Sequence, residues 1–372
     1  GLAAAQEVGG GMRTIPQGLE PLLHGDGNVQ AKARTYLRGK SSAIRGWLNS
    51  KGSAIGGWLK CKGSAILMIA SFGWWLSTPS WAGTYYVTVA GLGGEPDYEQ
   101  RFTANAMDLD KTLKSGVDAH VVTLTGKNST KAKLSEAIAQ VAAAAKPEDS
   151  FVLTLIGHGS FDGEQYKFNL VGPDVSAAEV AAMCDRVSTR RQLIVDTTSA
   201  SGGAVTAFQR PGRAVIVATK SGTEKNATVF ARYWVEALQD PTADTDKSES
   251  ISAMEAFVYA DRKTADFYST QKRLATEHAE FEDTGKGDAV RTGKTEGRQG
   301  ALMASFTVMR IGAAQAAMND PAKRDLMAKK EELEQKVDAL KYQKAAMEPG
   351  EYKNELKAAL VELAKVQAEL DK

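Results

Sequence analysis

Two short stretches hold the residue types that could do chemistry. One is Gly157-His158-Gly159-Ser160, and the other is Asp196-Thr197-Thr198-Ser199-Ala200-Ser201-Gly202-Gly203. A histidine titrates near neutrality and can take up a proton. A serine hydroxyl needs such a base within hydrogen-bond reach before it attacks a carbonyl. Glycines beside them let backbone N–H groups approach a substrate oxygen closely, as an oxyanion hole requires. The chemistry this suggests is acyl transfer, with His158 as base, Ser199 as nucleophile, and the Gly159 and Ser199 amides as oxyanion donors. Hydroxyl-rich turns also cap helices, and that reading of residues 197–201 stands beside the chemical one.

The elements that must position these residues alternate along the chain. "TYYVTVA" reads as a strand, "YEQRFTANAMDLDKTLKSG" as a helix with a glycine stop, "AHVVTLTG" as a strand and "TKAKLSEAIAQVAAAA" as a helix. "SFVLTLI" is a third strand, "SAAEVAAMCDRV" a helix, "RQLIVDTTS" and "RAVIVATKSG" strands, and "NATVFARYWVEAL" a helix. Such alternation predicts an α/β fold, a mainly parallel sheet with helices on both faces. Ligands of such sheets bind at the carboxyl ends of the strands. Both stretches fall at strand ends of that kind. If their strands are neighbours, His158 and Ser199, 41 positions apart, project from one edge of the sheet.

On these motifs residues 84–240 resemble the caspase/legumain-type peptidases. In that family a strand ending His-Gly supplies the base, and a strand ending Cys-x-Ser-Gly supplies a thiol nucleophile. "LIGHGS" resembles the base motif, "TTSASGG" the nucleophile motif, and "AVIVATKSGTEKNATVFARYW" the strand and helix that wall the specificity pocket. The resemblance implies that Arg101 helps line that pocket, where it could bind a carboxylate or amide. It places Glu224 and Ser221 beside the same pocket, with Glu224 able to pair with Arg101 or select a polar side chain. This sequence departs from the family at the nucleophile itself, where Ser199 replaces the cysteine. A thiol becomes a thiolate beside histidine far more readily than a hydroxyl ionises. Two functions therefore stand open: a serine-variant endopeptidase or weakly active relic, and an inactive pseudopeptidase that binds peptides or scaffolds a partner. Cys184 lies inside a helical pattern and reads as a small buried hydrophobe. Asp196 reads as a turn former, Asp162 and Glu164 as solvated loop carboxylates.

Composition excludes other classes. Two cysteines are too few for a disulfide framework, and no CxxC or HExxH pattern gathers cysteines or the four scattered histidines, so neither a metal nor a cofactor is expected. "GLGGE" falls short of a dinucleotide fingerprint. The net charge is +1, but residues 1–64 carry nine Lys/Arg against three Asp/Glu, leaving 37 basic and 42 acidic residues beyond them. That mildly acidic body gives no reason to expect nucleic acid.

Within residues 1–64 an eleven-residue repeat starts at Lys40, Lys51 and Lys62, rich in Gly and Ser, and this segment is left out of the expected fold. Residues 65–82 have the layout of a secretory signal peptide, an apolar run closing on Ser80-Trp81-Ala82. That predicts a secreted or periplasmic protein, with an uncleaved membrane anchor as the alternative. The expected domain covers 83–240, and 241–320 adds a helix and polar loops that complete it or form an inserted lid. Residues 321–372 read as a helical hairpin or short coiled coil, with Leu333, Val337 and Leu340 on one face and Leu356, Leu360, Leu363 and Leu370 on the other, suited to self-association or a protein partner.

Overall fold

A computed structural model describes residues 82–293 and 298–372. The readings made for residues 1–64 and for the apolar run ending at Trp81 lie outside these.

The nine alternating elements of the sequence reading form where the periodicity places them. Strands β1 (Thr84–Ala90), β2 (Ala119–Leu124), β3 (Ser150–Ile156), β7 (Arg191–Asp196) and β8 (Arg213–Val217) run parallel, and β10 (Glu280–Glu282) joins β8 antiparallel. The six-stranded order is β10-β8-β7-β3-β1-β2. These strands are near-continuous apolar runs because both faces are covered. Tyr86, Val152, Leu193, Val195, Ala214 and Ile216 face one layer, and Val87, Leu153, Leu155, Ile194, Val215 and Val217 face the other.

Helices α1 (Pro96–Leu113), α5 (Phe230–Gln239) and α6 (Ala253–Thr270) cover the first face, where Trp234 and Phe257 are almost wholly buried. The second face carries α2 (Lys131–Ala144), α3 (Ala177–Cys184) and α4 (Val205–Phe208). Cys184 is buried there, and burial pushes its thiol up to about 12, so it is the inert residue expected.

Between β3 and α3 the chain makes a small antiparallel sheet of β4 (Gly159–Phe161), β5 (Tyr166–Phe168) and β6 (Val175–Ser176). Two- and three-residue strands carry no periodicity to be read from sequence. It seats Tyr166 and Phe168 in the core.

Beyond α6 the polar region supplies β10 to the edge of the main sheet, α7 (Ala301–Ser305), and β11 (Thr307–Arg310), which pairs antiparallel with β9 (Ser250–Ser252). Helices α8 (Gly312–Met318), α9 (Pro321–Gln343) and α10 (Pro349–Leu370) follow. The last two form the expected hairpin, broken at Lys344–Glu348. Its first helix is tied into the body: Arg310 grips Glu331 through two N–H groups, Arg191 donates to Gln335 at 2.9 Å, and buried Lys330 donates to the Ser248 carbonyl at 3.1 Å. Among the described residues no helix is long and apolar enough to cross a membrane.

Candidate functional site

Adjacent strands β3 and β7 pair Leu155 with Asp196. His158 and Ser199 each stand three residues past that pair, so the register delivers both to one edge of the sheet, as the spacing predicted.

At the end of β7 the chain turns through Ala200, which holds φ +57 although it is not glycine and is fully buried. That left-handed conformation is costly for a residue with a Cβ. It is held by the Ala200 N–H donating to the Glu224 carbonyl at 2.8 Å and the Gly203 N–H donating to the Ala200 carbonyl at 3.0 Å. The turn leads into a short 3-10 segment, Ser201–Ala204. Ser201 and Gly202 meet Thr219, the Ser201 hydroxyl at 3.2 Å and the Gly202 N–H donating at 3.0 Å. Ser201 is thereby spent inside the fold.

Ser199 is 2% exposed. Its Oγ donates to the Gly159 carbonyl at 3.0 Å and accepts from the Gly159 N–H at 3.1 Å. Gly159 must be glycine, since a Cβ there would run into the Ser199 carbonyl and the Tyr166 ring. Both partners of the hydroxyl are main chain, and among the described residues no hydrogen bond joins it to His158. The expected base–nucleophile contact is therefore not formed, and the Gly159 N–H, expected to be an oxyanion donor, is occupied by the hydroxyl. The reason is local. β4 begins at Gly159 and pulls that peptide against the Ser199 turn.

His158 instead lies edge-on to two rings of α1, 4.7 Å from Tyr98 and 5.0 Å from Phe102 by centroid. Arg101 lies over the same rings, at 4.8 and 5.6 Å. Burial, then the nearby Arg101 charge, lowers the His158 pKa, while a hydrogen bond to the Gly93 backbone and the Glu95 charge oppose them. The imidazole is consequently neutral at pH 7.

Behind the turn sits a network the sequence did not reveal. Asp196, fully buried, accepts from the Thr198 N–H at 3.1 Å and the Thr198 hydroxyl at 2.7 Å, and Tyr166 OH meets that hydroxyl at 2.6 Å. Burial raises the Asp196 carboxyl to about 6 against the pull of these hydrogen bonds, and Oδ2 has no partner among the described residues. Asp196 is thus more than a turn former.

A pocket of about 160 Å³ opens beside the strand ends, lined by Arg101, Asn105, Thr197, Thr228, Arg232 and Phe267 among others. Two arginines are among its lining residues. Arg101 was expected there; Arg232, from α5, was not, since an exposed arginine in an amphipathic helix carries no sign of its neighbours. Glu224 does not pair with Arg101. Its carboxylate accepts from His278, Nδ1 at 2.6 Å and backbone N–H at 3.2 Å, and from the Lys220 N–H at 3.1 Å. Ser221 stays in that loop, its hydroxyl 2.7 Å from that of Thr223. Asp162 caps its own turn through the Glu164 and Gln165 N–H groups.

No family model and no curated protein matches this chain. Among solved structures it is similar to a Geobacter sulfurreducens protein from a structural genomics programme, at TM-score 0.41 and 14% identity over 62% of this chain and 100% of the other. It is similar too to the Drosophila initiator caspase Dronc, at TM-score 0.39 and 9% identity over 56% of this chain and 81% of that one. Caspase-1 from Spodoptera frugiperda matches at TM-score 0.39 and 12% identity, covering 55% and 87% respectively.

Proposed function

We propose that this chain is a peptide-binding protein of caspase-like architecture, a pseudopeptidase whose pocket takes a carboxylate-bearing side chain or chain end. The observation that carries the reading is the Ser199 hydroxyl, which commits its one proton to the Gly159 carbonyl and accepts from the Gly159 N–H, with no hydrogen bond to His158. A hydroxyl without a base in contact is a poor nucleophile. Arg101 and Arg232 supply the ligand preference, because guanidinium groups hold carboxylates by paired, charge-assisted hydrogen bonds. The order of the His-Gly and Ser-x-Ser-Gly motifs on adjacent strands supports the caspase-like architecture.

The test is a binding screen of peptides that differ only in carrying Asp, Glu, Asn or Ala at one position. Acidic peptides should bind, and Arg101→Ala and Arg232→Ala should each weaken them about tenfold or more. Equal affinity for the Ala peptide would remove the carboxylate preference.

A second reading, a serine-variant peptidase, is favoured by the neutral imidazole of His158, a competent proton acceptor. A fluorophosphonate probe separates the two. Labelling of wild type that is lost in Ser199→Ala would establish a working nucleophile and overturn the pseudopeptidase reading.

A further inference from the structure

Thr198 carries one hydroxyl proton and has three oxygens in reach of it. Its Oγ1 lies 2.7 Å from Asp196 Oδ1, 2.6 Å from the Tyr166 hydroxyl and 3.1 Å from the Ser199 carbonyl. A hydroxyl donates to one partner at a time and accepts from up to two. Asp196 decides which oxygen receives the proton.

An ionised Asp196 can only accept, so the Thr198 O–H turns to Oδ1 and Tyr166 donates to Thr198 Oγ1. The Ser199 carbonyl then has no hydroxyl donor. When Asp196 takes up a proton from solvent, Oδ2 offers it no partner among the described residues. The proton therefore lies on Oδ1, where Thr198 Oγ1 accepts it. The Thr198 O–H is released to the Ser199 carbonyl, and Tyr166 goes on donating to Thr198. One proton thus moves one hydrogen bond onto the Ser199–Ala200 peptide.

That peptide leads into the left-handed Ala200, and its N–H donates to the Glu224 carbonyl at 2.8 Å. Without a donor on its carbonyl it is held at one end only, against backbone strain. The cluster also lies directly against Gly159, where a Cβ would meet the Ser199 carbonyl, the Tyr166 ring and Thr198 Oγ1 together. An aspartate turn accounts for the bond from the Thr198 N–H. It asks for neither a fully buried carboxyl nor a tyrosine from β5.

We propose that Asp196 is a positioning residue for the Ser199 turn, and that its proton, relayed through Thr198, holds Ser199 on Gly159. On the peptide-binding reading, on which this consequence rests, the same proton keeps a ligand from the Gly159 N–H. Tyr166 is the titratable group that faces Asp196 from β5, while β3 and β8 flank it through Leu155 and Val217. Among the described residues burial, Thr198 and Tyr166 act on its carboxyl and no charge does. Burial places its titration at about 6. His158, next in the chain to Gly159, is the competing titratable group.

Amide hydrogen exchange of the full chain, resolved by NMR at about pH 5 and about pH 7.5, tests the relay, each rate being divided by its intrinsic chemical rate. Core amides of β3 and β7 serve as the reference for global opening. Relative to them, protection of the Gly159 amide should fall about five- to tenfold at the higher pH, the weight of one hydrogen bond. Thr198→Val has no proton to relay and should show no such step, and Thr198→Ser should keep it. A step that persists in Thr198→Val belongs to His158 and overturns the proposal. So does equal protection at both pH values in wild type. If Thr198→Val does not fold, Asp196→Asn decides: its protection should not change with pH, and a persisting step overturns the relay. Exchange is read on the free protein, so failure of peptide binding leaves its outcome standing.

Discussion

Asp196 is a buried acid whose neighbours satisfy one of its oxygens. Its folded pKa, about 6, lies above the ordinary carboxyl value. The protonated form is the one the fold prefers, so its contribution to stability is full below about pH 4 and is lost as pH rises through 6. Asp196→Asn keeps an acceptor for Thr198 and removes the ionisation. The variant should gain roughly 3 kcal/mol over wild type between pH 4 and pH 7, and urea denaturation across that range measures it; a constant difference would show that Asp196 does not titrate there. Ala200 makes a second case. Its left-handed backbone in a fully buried turn leaves no room for a branched Cβ, and Ala200→Val should cost at least about 2 kcal/mol of unfolding free energy.

At the same scale, the sequence displays the hydroxyl cluster and the histidine plainly, because both sit at strand ends beside glycines. It does not display Tyr166 or Arg232. Tyr166 reaches Thr198 from a strand too short to predict, and Arg232 is brought to Arg101 by packing of α5 on the sheet.

Elements long enough to show a period are legible in advance, and those decided by pairing are not. β7 announces itself as a short apolar run and α2 through a 3.6-residue pattern, whereas β10 becomes a strand only because β8 offers an edge. The hairpin repeats the point: its apolar stripe is visible in sequence, its docking is not. Because α9 supplies Glu331, Gln335 and Lys330 to the body, truncation after residue 348 should leave the α/β body folded. Truncation after residue 320 takes Glu331 from Arg310 and Gln335 from Arg191 and should lower Tm by many degrees, a contrast that circular dichroism melts of the two chains resolve. Glu331→Gln alone should cost about 2 kcal/mol, since it leaves a half-buried guanidinium facing a neutral group. Self-association through α10 remains a proposal, which sedimentation of the chain ending at 348 tests directly.

For the molecule as a whole, charge is divided unevenly along the chain. Residues 82–372 carry 37 basic and 42 acidic side chains, whereas the complete chain balances at +1. A protein trimmed to residues 82–372 should focus at a clearly lower pH than the full chain, on the acidic side of neutrality, and bind an anion exchanger at pH 8. Both sheet faces are covered by helices, and the six-strand order puts β3 and β7 at the centre, so the two site-bearing strand ends belong to the most constrained part of the fold.

The mutual grip of Ser199 and Gly159 is, in thermodynamic terms, a latch between two strand ends. A ligand that wants the Gly159 N–H for itself must first have the latch open, and its apparent affinity is multiplied by the fraction of molecules in that state. If about one molecule in a hundred is open, intrinsic binding is masked about a hundredfold. Ser199→Ala, which removes the bolt and keeps the frame, then becomes the tighter binder, so that one buried hydroxyl sets the occupancy.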